Sequence, residues 1–114
     1  MEDCVFCRIA RGQAPARILF SSEDVVAFHD VSPQAPTHVL VIPRQHITSL
    51  AEIAATDTAL LGQLMLACAD AARECGIAAS GFRVVTNSGA RAGQSVPHLH
   101  LHVLGGRAFG WPPG

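Results

Sequence analysis

Charge is scarce in this chain of 114 residues. Charged side chains make up 15% of it, against ~25% in an ordinary soluble domain. Lys plus Arg is 8 and Asp plus Glu is 9, for a formal net charge of −1. No basic run exists, which argues against a nucleic-acid backbone binder. No apolar stretch reaches the ~18 residues needed to span a bilayer as a helix. The start Met1-Glu2-Asp3 is acidic and leads straight into Cys4, so it does not read as a secretory signal. The expected compartment is the cytoplasm. Repeats and low-complexity segments are also lacking. The length suits one domain over residues 1–114, with a single core.

Apolar residues, by contrast, make up 49%, the upper end of the ~45–50% norm. A monomer this poor in charge has trouble covering its surface, so part of it is expected to be buried against a second subunit. The four cysteines are Cys4, Cys7, Cys68 and Cys75. In a reducing compartment they read as metal ligands or buried thiols rather than disulfides.

Residues 4–11 suit a short helix carrying the Cys4-x-x-Cys7 pair. Ile18-Leu19-Phe20 and Val25-Val26-Ala27-Phe28 flank a Ser/Asp turn and read as a hairpin. Residues 30–37, with two prolines, read as a loop. His38 to Ile42 is a continuous apolar strand that stops at Pro43. The long helix is the clearest element: Leu60, Leu61, Leu64, Cys68, Ala71, Ala72 and Cys75 recur at three- and four-residue spacing. Thr56 is its expected N-cap, Asp57 sits in its first turn and Gly76 supplies its stop. Gly81 to Asn87 and His98 to Leu104 read as strands, with a Gly- and Ser-containing loop over 88–95 between them. The order predicts an α+β fold: an antiparallel sheet of about five strands with a helix on one face.

The most informative stretch is His98-Leu99-His100-Leu101-His102-Val103-Leu104. Strand side chains alternate faces, so the three histidines share one side, ~6.8 Å apart, while Leu99, Leu101 and Val103 share the other. Neutral imidazole is a nucleophile near pH 7, able to attack a phosphorus or acyl centre once its other nitrogen is held protonated. Neighbouring histidines can bond phosphate oxygens and help protonate a leaving group. Gly93-Gln94-Ser95 just upstream suits a phosphate cradle, since glycine lets backbone N–H groups approach an anion.

Here the residues resemble a known family. His98-x-His100-x-His102 is the pattern of the histidine triad (HIT) superfamily of nucleotidyl hydrolases and transferases. The run Phe28-His29-Asp30-Val31-Ser32-Pro33 through His38 to Pro43 looks like its Hint branch. So do Gly93-Gln94-Ser95-Val96 and the tail Trp111-Pro112-Pro113-Gly114. The resemblance covers nearly the whole chain. It implies a HIT-like fold with one long and one short helix, and a homodimer in which strand 81–87 joins two sheets into one of ten strands. The activity it implies is hydrolysis of purine nucleoside 5′-phosphoramidates to the monophosphate and an amine.

Carried over position by position, His100 matches the nucleophile that becomes nucleotidylated. His102 matches the residue that holds the phosphate and assists the leaving group. His98 and His38 match the residues that order the nucleophile. Asp30 would take both ribose hydroxyls, as a carboxylate can accept two hydrogen bonds from a cis-diol. Phe28, His29 and Val31 would line the base pocket. Asn87, Gly93, Gln94, Ser95 and Val96 would surround the phosphate, and Trp111 would reach toward the partner's site. Pro97 and Gly110 depart from the pattern; Pro97 would deprive the start of strand 98–104 of a ladder bond.

Cys4-x-x-Cys7 is half of a tetrahedral zinc site. The resemblance to bacterial members completes it with His46 and His98, a structural zinc that would tether the N-terminus. Cys68 and Cys75 read as core. Two rival functions stand beside the phosphoramidase: hydrolysis of dinucleoside polyphosphates, whose branch lacks the Trp-Pro-Pro-Gly tail, and a nucleotide-binding interaction protein.

Overall fold

A computed structural model describes residues 3–114; the Met1-Glu2 start lies outside the described residues. A short helix α1 (Val5–Ala10) leads into strands β1 (Ile18–Ser21), β2 (Val25–His29) and β3 (Thr37–Pro43). The long helix α2 (Thr58–Glu74) follows, then β4 (Phe82–Val85) and β5 (Leu101–Gly105). The strands form one antiparallel sheet in the order β1-β2-β3-β5-β4. This is the α+β layout that the sequence predicts, with β3 at the centre.

Burial on both faces explains why β3 is apolar without a break from Val39 to Pro43. Val39 and Val41 join Val25, Ala27, Leu101 and Val103 in a core against Leu64, Ala67, Cys68 and Ala71 of α2. Leu40 and Ile42 point the other way and join Val26, Phe28, Phe6 and Ala10 in a second cluster against α1. The sheet is therefore roofed on one side by α2. On the other it is only partly covered by α1, and the uncovered remainder becomes a cavity.

Several boundaries differ from the sequence reading. Thr56 does not cap α2; it lies within a 3₁₀ turn over Ala55–Asp57, whose Asp57 carboxylate accepts the Ala54 N–H at 2.8 Å. Aspartate bonding back to preceding backbone competes with a regular helix start. At the far end, Ile77 N–H donates to Ala72 O and Gly76 N–H to Arg73 O, at 3.0 and 3.1 Å. That is a Schellman stop, with Gly76 at φ +75°. The last strand begins at Leu101 rather than His98. Leu99 N–H leaves the ladder and donates to Ile47 O at 2.6 Å. Pro97 thus precedes an irregular segment and interrupts no ladder. The alternation of faces nevertheless continues upstream: Leu99 lies in the α2 core, while His98 and His100 meet Phe6 of α1. β4 is also shorter than predicted, because Thr86 turns its hydroxyl to donate to His100 O at 2.9 Å.

Gly105 is dictated by contact. A Cβ there would lie 2.5 Å from Ile77 Cδ1, a buried residue that closes the end of the core. Among the described residues, no helix is long and apolar enough to cross a membrane.

Candidate active site and metal centre

A cavity of about 520 Å³ opens on the sheet face that α1 leaves uncovered, a size that suits a small organic ligand. Of the residues singled out above, Phe28, His29, Asp30, Val31, His38, Ser95, Val96, His100 and His102 line it. Asn87, Gly93, Gln94 and Trp111 do not. Gln94 spends its side chain on the loop: its amide donates to Thr48 O at 2.7 Å and Val96 O at 3.0 Å, and its carbonyl accepts Gly89 N–H. It shapes the segment that presents Ser95 and Val96 without facing the cavity itself. Trp111 is 84% exposed, at the end of a tail fixed by Phe109 between Arg83 and Arg107. Val31 is 95% exposed at the cavity rim.

Hydrogen bonds assign the ring protons one at a time. His100 Nδ1 lies 2.7 Å from His98 O. A carbonyl only accepts, so Nδ1 carries the proton and Nε2 keeps its lone pair. His38 Nδ1 accepts the Gln34 N–H at 3.0 Å, so the proton of neutral His38 sits on Nε2. That Nε2–H faces His102 Nδ1 at 2.8 Å, which must accept. The proton of His102 is thereby placed on Nε2. Two adjacent rings thus have opposite characters: His100 presents a lone pair at Nε2, His102 an N–H donor. The rings stand 5.0 Å apart, centroid to centroid.

Electrostatics keep His102 neutral. Burial, then the positive charge His100 and His38 would carry, depress its pKa to about 4 against a partial opposing pull from Asp30. His38 is also lowered, chiefly by burial, with Asp30 pulling the other way. The Asp30 carboxylate is 3.4 Å from His38 Nε2, and its other oxygen accepts the Ser32 N–H at 2.8 Å. His29 is lowered by burial and by Arg17.

The second cluster lies behind the first. Cys4, Cys7, His46 and His98 bring one ligand atom each to within 4.8 Å of one another. Cys4 Sγ to His98 Nδ1 is 3.3 Å, Cys7 Sγ to His46 Nδ1 is 3.2 Å and Cys7 Sγ to His98 Nδ1 is 3.5 Å. Tetrahedral zinc bonds of ~2.3 Å to sulfur and ~2.0–2.1 Å to nitrogen would set S···N edges of about 3.5 Å, so these separations fit. His98 Nε2 donates to Pro43 O at 2.9 Å, leaving Nδ1 free toward the thiols. That is the outer-sphere bond a metal-ligating histidine requires. Burial lowers the pKa of His98 and raises that of Cys7. The remaining thiols are core: burial pushes Cys68 up to about 11 and also raises Cys75.

Three contributors escaped the sequence reading. Phe6 packs edge-on against His100 and Phe28, at centroid distances of 5.1 and 5.5 Å. Thr86 holds the His100 carbonyl. Gln34 acts through its backbone N–H. Only Phe6 had a signal to read: one aromatic between two candidate ligands on a short amphipathic segment.

Comparisons with known proteins agree with this geometry. Residues 11–109 match the HIT domain. An uncharacterized HIT-like protein of Synechocystis sp. is 49% identical over 113 residues, covering 99% of this chain and 98% of that protein. Among solved structures, a HIT family hydrolase from Legionella pneumophila Philadelphia 1 superposes with a TM-score of 0.96 at 42% identity, covering 98% of this chain and all of its own. One from Clostridium thermocellum gives 0.94 at 43% identity, covering 96% of each chain. The chain belongs to the HIT domain family.

Proposed function

We propose that this protein is a hydrolase cleaving the P–N bond of purine nucleoside 5′-phosphoramidates through a nucleotidyl-His100 intermediate. One observation carries the reading: the bond from His100 Nδ1 to the His98 carbonyl, which leaves an unprotonated Nε2 at a nucleotide-sized cavity. In the first step Nε2 attacks phosphorus, the N–P bond forms and the substrate P–N bond breaks. His102 Nε2–H protonates the departing nitrogen, while the His38 bond to Nδ1 steadies the developing charge. The positive charge on the modified His100 is held by the His98 carbonyl through Nδ1–H. Water then attacks phosphorus, returns a proton to His102, and releases the nucleoside monophosphate.

The other cavity residues divide by chemistry. Phe28, with Val5 and Ile9 of α1, offers an apolar slot for the base. Asp30 offers its carboxylate to the ribose hydroxyls, and Ser95 a hydroxyl to the phosphate. In this reading Cys4, Cys7, His46 and His98 hold a structural zinc, which supplies cross-linking of α1 to the sheet and takes no part in the reaction. Elemental analysis is expected to find one zinc per chain. The protein acts as a cytoplasmic homodimer, paired through the open edge of β4 and the exposed Met65, Leu66 and Phe82; light scattering tests this. Activity is tested by comparing adenosine phosphoramidate and a dinucleoside polyphosphate side by side. Faster turnover of the phosphoramidate supports the reading; preference for the polyphosphate, or turnover of neither, contradicts it.

A further inference from the structure

We infer that the Cys4–Cys7 thiol pair controls nucleotide affinity, because the helix it tethers is also a wall of the nucleotide cavity. The inference rests on the nucleotide reading above and adds a regulation of the same site.

α1 spans only six residues, far too short to persist as a helix on its own. It precedes the segment that matches the HIT domain, which begins at residue 11. It is held to the sheet by the apolar packing of Phe6 and Ala10 on Val26, Phe28, Leu40 and Ile42 and by polar contacts at its two ends. Cys4, at its N-cap, and Cys7, one turn on, face His98 and His46. At its other end Arg44 donates to Ala10 O. Between these points Phe6 is inserted against Phe28, His98 and His100. The outward side of the same helix supplies Val5 and Ile9 to the cavity.

One turn of helix therefore does two things. Its thiols belong to the metal cluster, and its apolar side chains close the base slot and rest on the nucleophile's ring. Loosening the thiols releases the wall; filling the cavity braces the wall and holds the thiols in place. Such coupling between two ligands is reciprocal: whatever factor the metal adds to nucleotide affinity, the nucleotide adds to metal affinity.

The test uses zinc and adenosine monophosphate on the full chain. Titration calorimetry is expected to give an AMP dissociation constant about tenfold higher for the chelated protein than for the zinc-loaded protein. Saturating AMP is expected to shift zinc competition with a chromogenic chelator by the same factor. In zinc-loaded Phe6→Leu, metal content stays at that of the wild type while AMP binding weakens severalfold. Equal AMP affinity with and without zinc overturns the inference. So does complete loss of circular dichroism on chelation, since the metal would then hold the entire fold rather than one wall. If zinc-loaded wild type binds no AMP at all, the nucleotide reading itself fails, and the two failures are thereby told apart.

Discussion

Among the described residues, two groups of metal-capable side chains lie side by side, and beyond their donor types they differ in how their histidines are held. Cys4, Cys7, His46 and His98 form one; Asp30, His38 and His102 form the other, with its ligand atoms within the same 4.8 Å. Proximity alone does not separate them. The second nitrogen of the histidine does. His98 Nε2 faces a carbonyl, so its Nδ1 is free for a cation. His38 Nδ1 faces an N–H, so its Nε2 must keep its proton and point it at His102. A metal on His38 Nε2 would force that proton onto Nδ1, against the Gln34 donor. The donor set of the first group suits a cation and that of the second a proton.

The largest effect expected from breaking this arrangement is at the residue both groups serve. His100→Ala removes the proposed nucleophile, and turnover is expected to fall on the order of 10⁴-fold or more in a steady-state assay. Retained activity would mean that another group attacks. Next is the proton side: His102→Ala is expected to lower kcat by about 10²–10⁴-fold while leaving zinc content unchanged. The metal side should answer oppositely. The double variant Cys4→Ser, Cys7→Ser is expected to lose zinc and about 10 °C of melting temperature, equivalent to one or two kcal/mol. His38→Asn should keep one zinc per chain by elemental analysis. A second zinc bound by the wild type and lost in His38→Asn would erase the distinction between the groups.

The smallest effect is on acid stability. The pKa of His102 is pushed down to about 4, against an ordinary value near 6.5. Between those values the unfolded chain binds a proton that the folded chain refuses. Stability contributed by neutral His102 is thus complete above pH 6.5 and is lost as pH falls toward 4. Zinc-loaded His102→Ala should therefore lose less stability than the wild type across that interval in chemical denaturation. A parallel loss in both would contradict the burial of this ring.

Much of this was legible in the chain. The His-x-His-x-His alternation placed three rings opposite Leu99, Leu101 and Val103, and the structure keeps that division even where the ladder stops. The continuous apolar run marked β3 as a strand, but a helix was expected on one face only, whereas residues on both faces of the sheet are buried. The Cys4-x-x-Cys7 spacing, with the resemblance supplying His46 and His98, pointed to four residues that do converge. Apart from the Phe6 ring and the Thr86 hydroxyl, what escaped is what backbone carries. Neither the Gln34 N–H nor the His98 carbonyl has a side-chain signature, yet together they fix the tautomers. Gln94 looked like a phosphate ligand because composition does not reveal direction; its amide turns to Thr48 and Val96. The cap at Thr56 failed because Asp57 found a backbone partner upstream.

On the proposed mechanism, His100 Nε2 forms a covalent bond to phosphorus. This step is tested most directly by acid-free quenching after brief exposure to adenosine phosphoramidate, followed by peptide mass spectrometry. An adenylyl group on the peptide containing His100, absent in His100→Ala, is the predicted result. Turnover with that group on another side chain would contradict it, as would multiple-turnover hydrolysis in which rapid quenching traps no protein adduct.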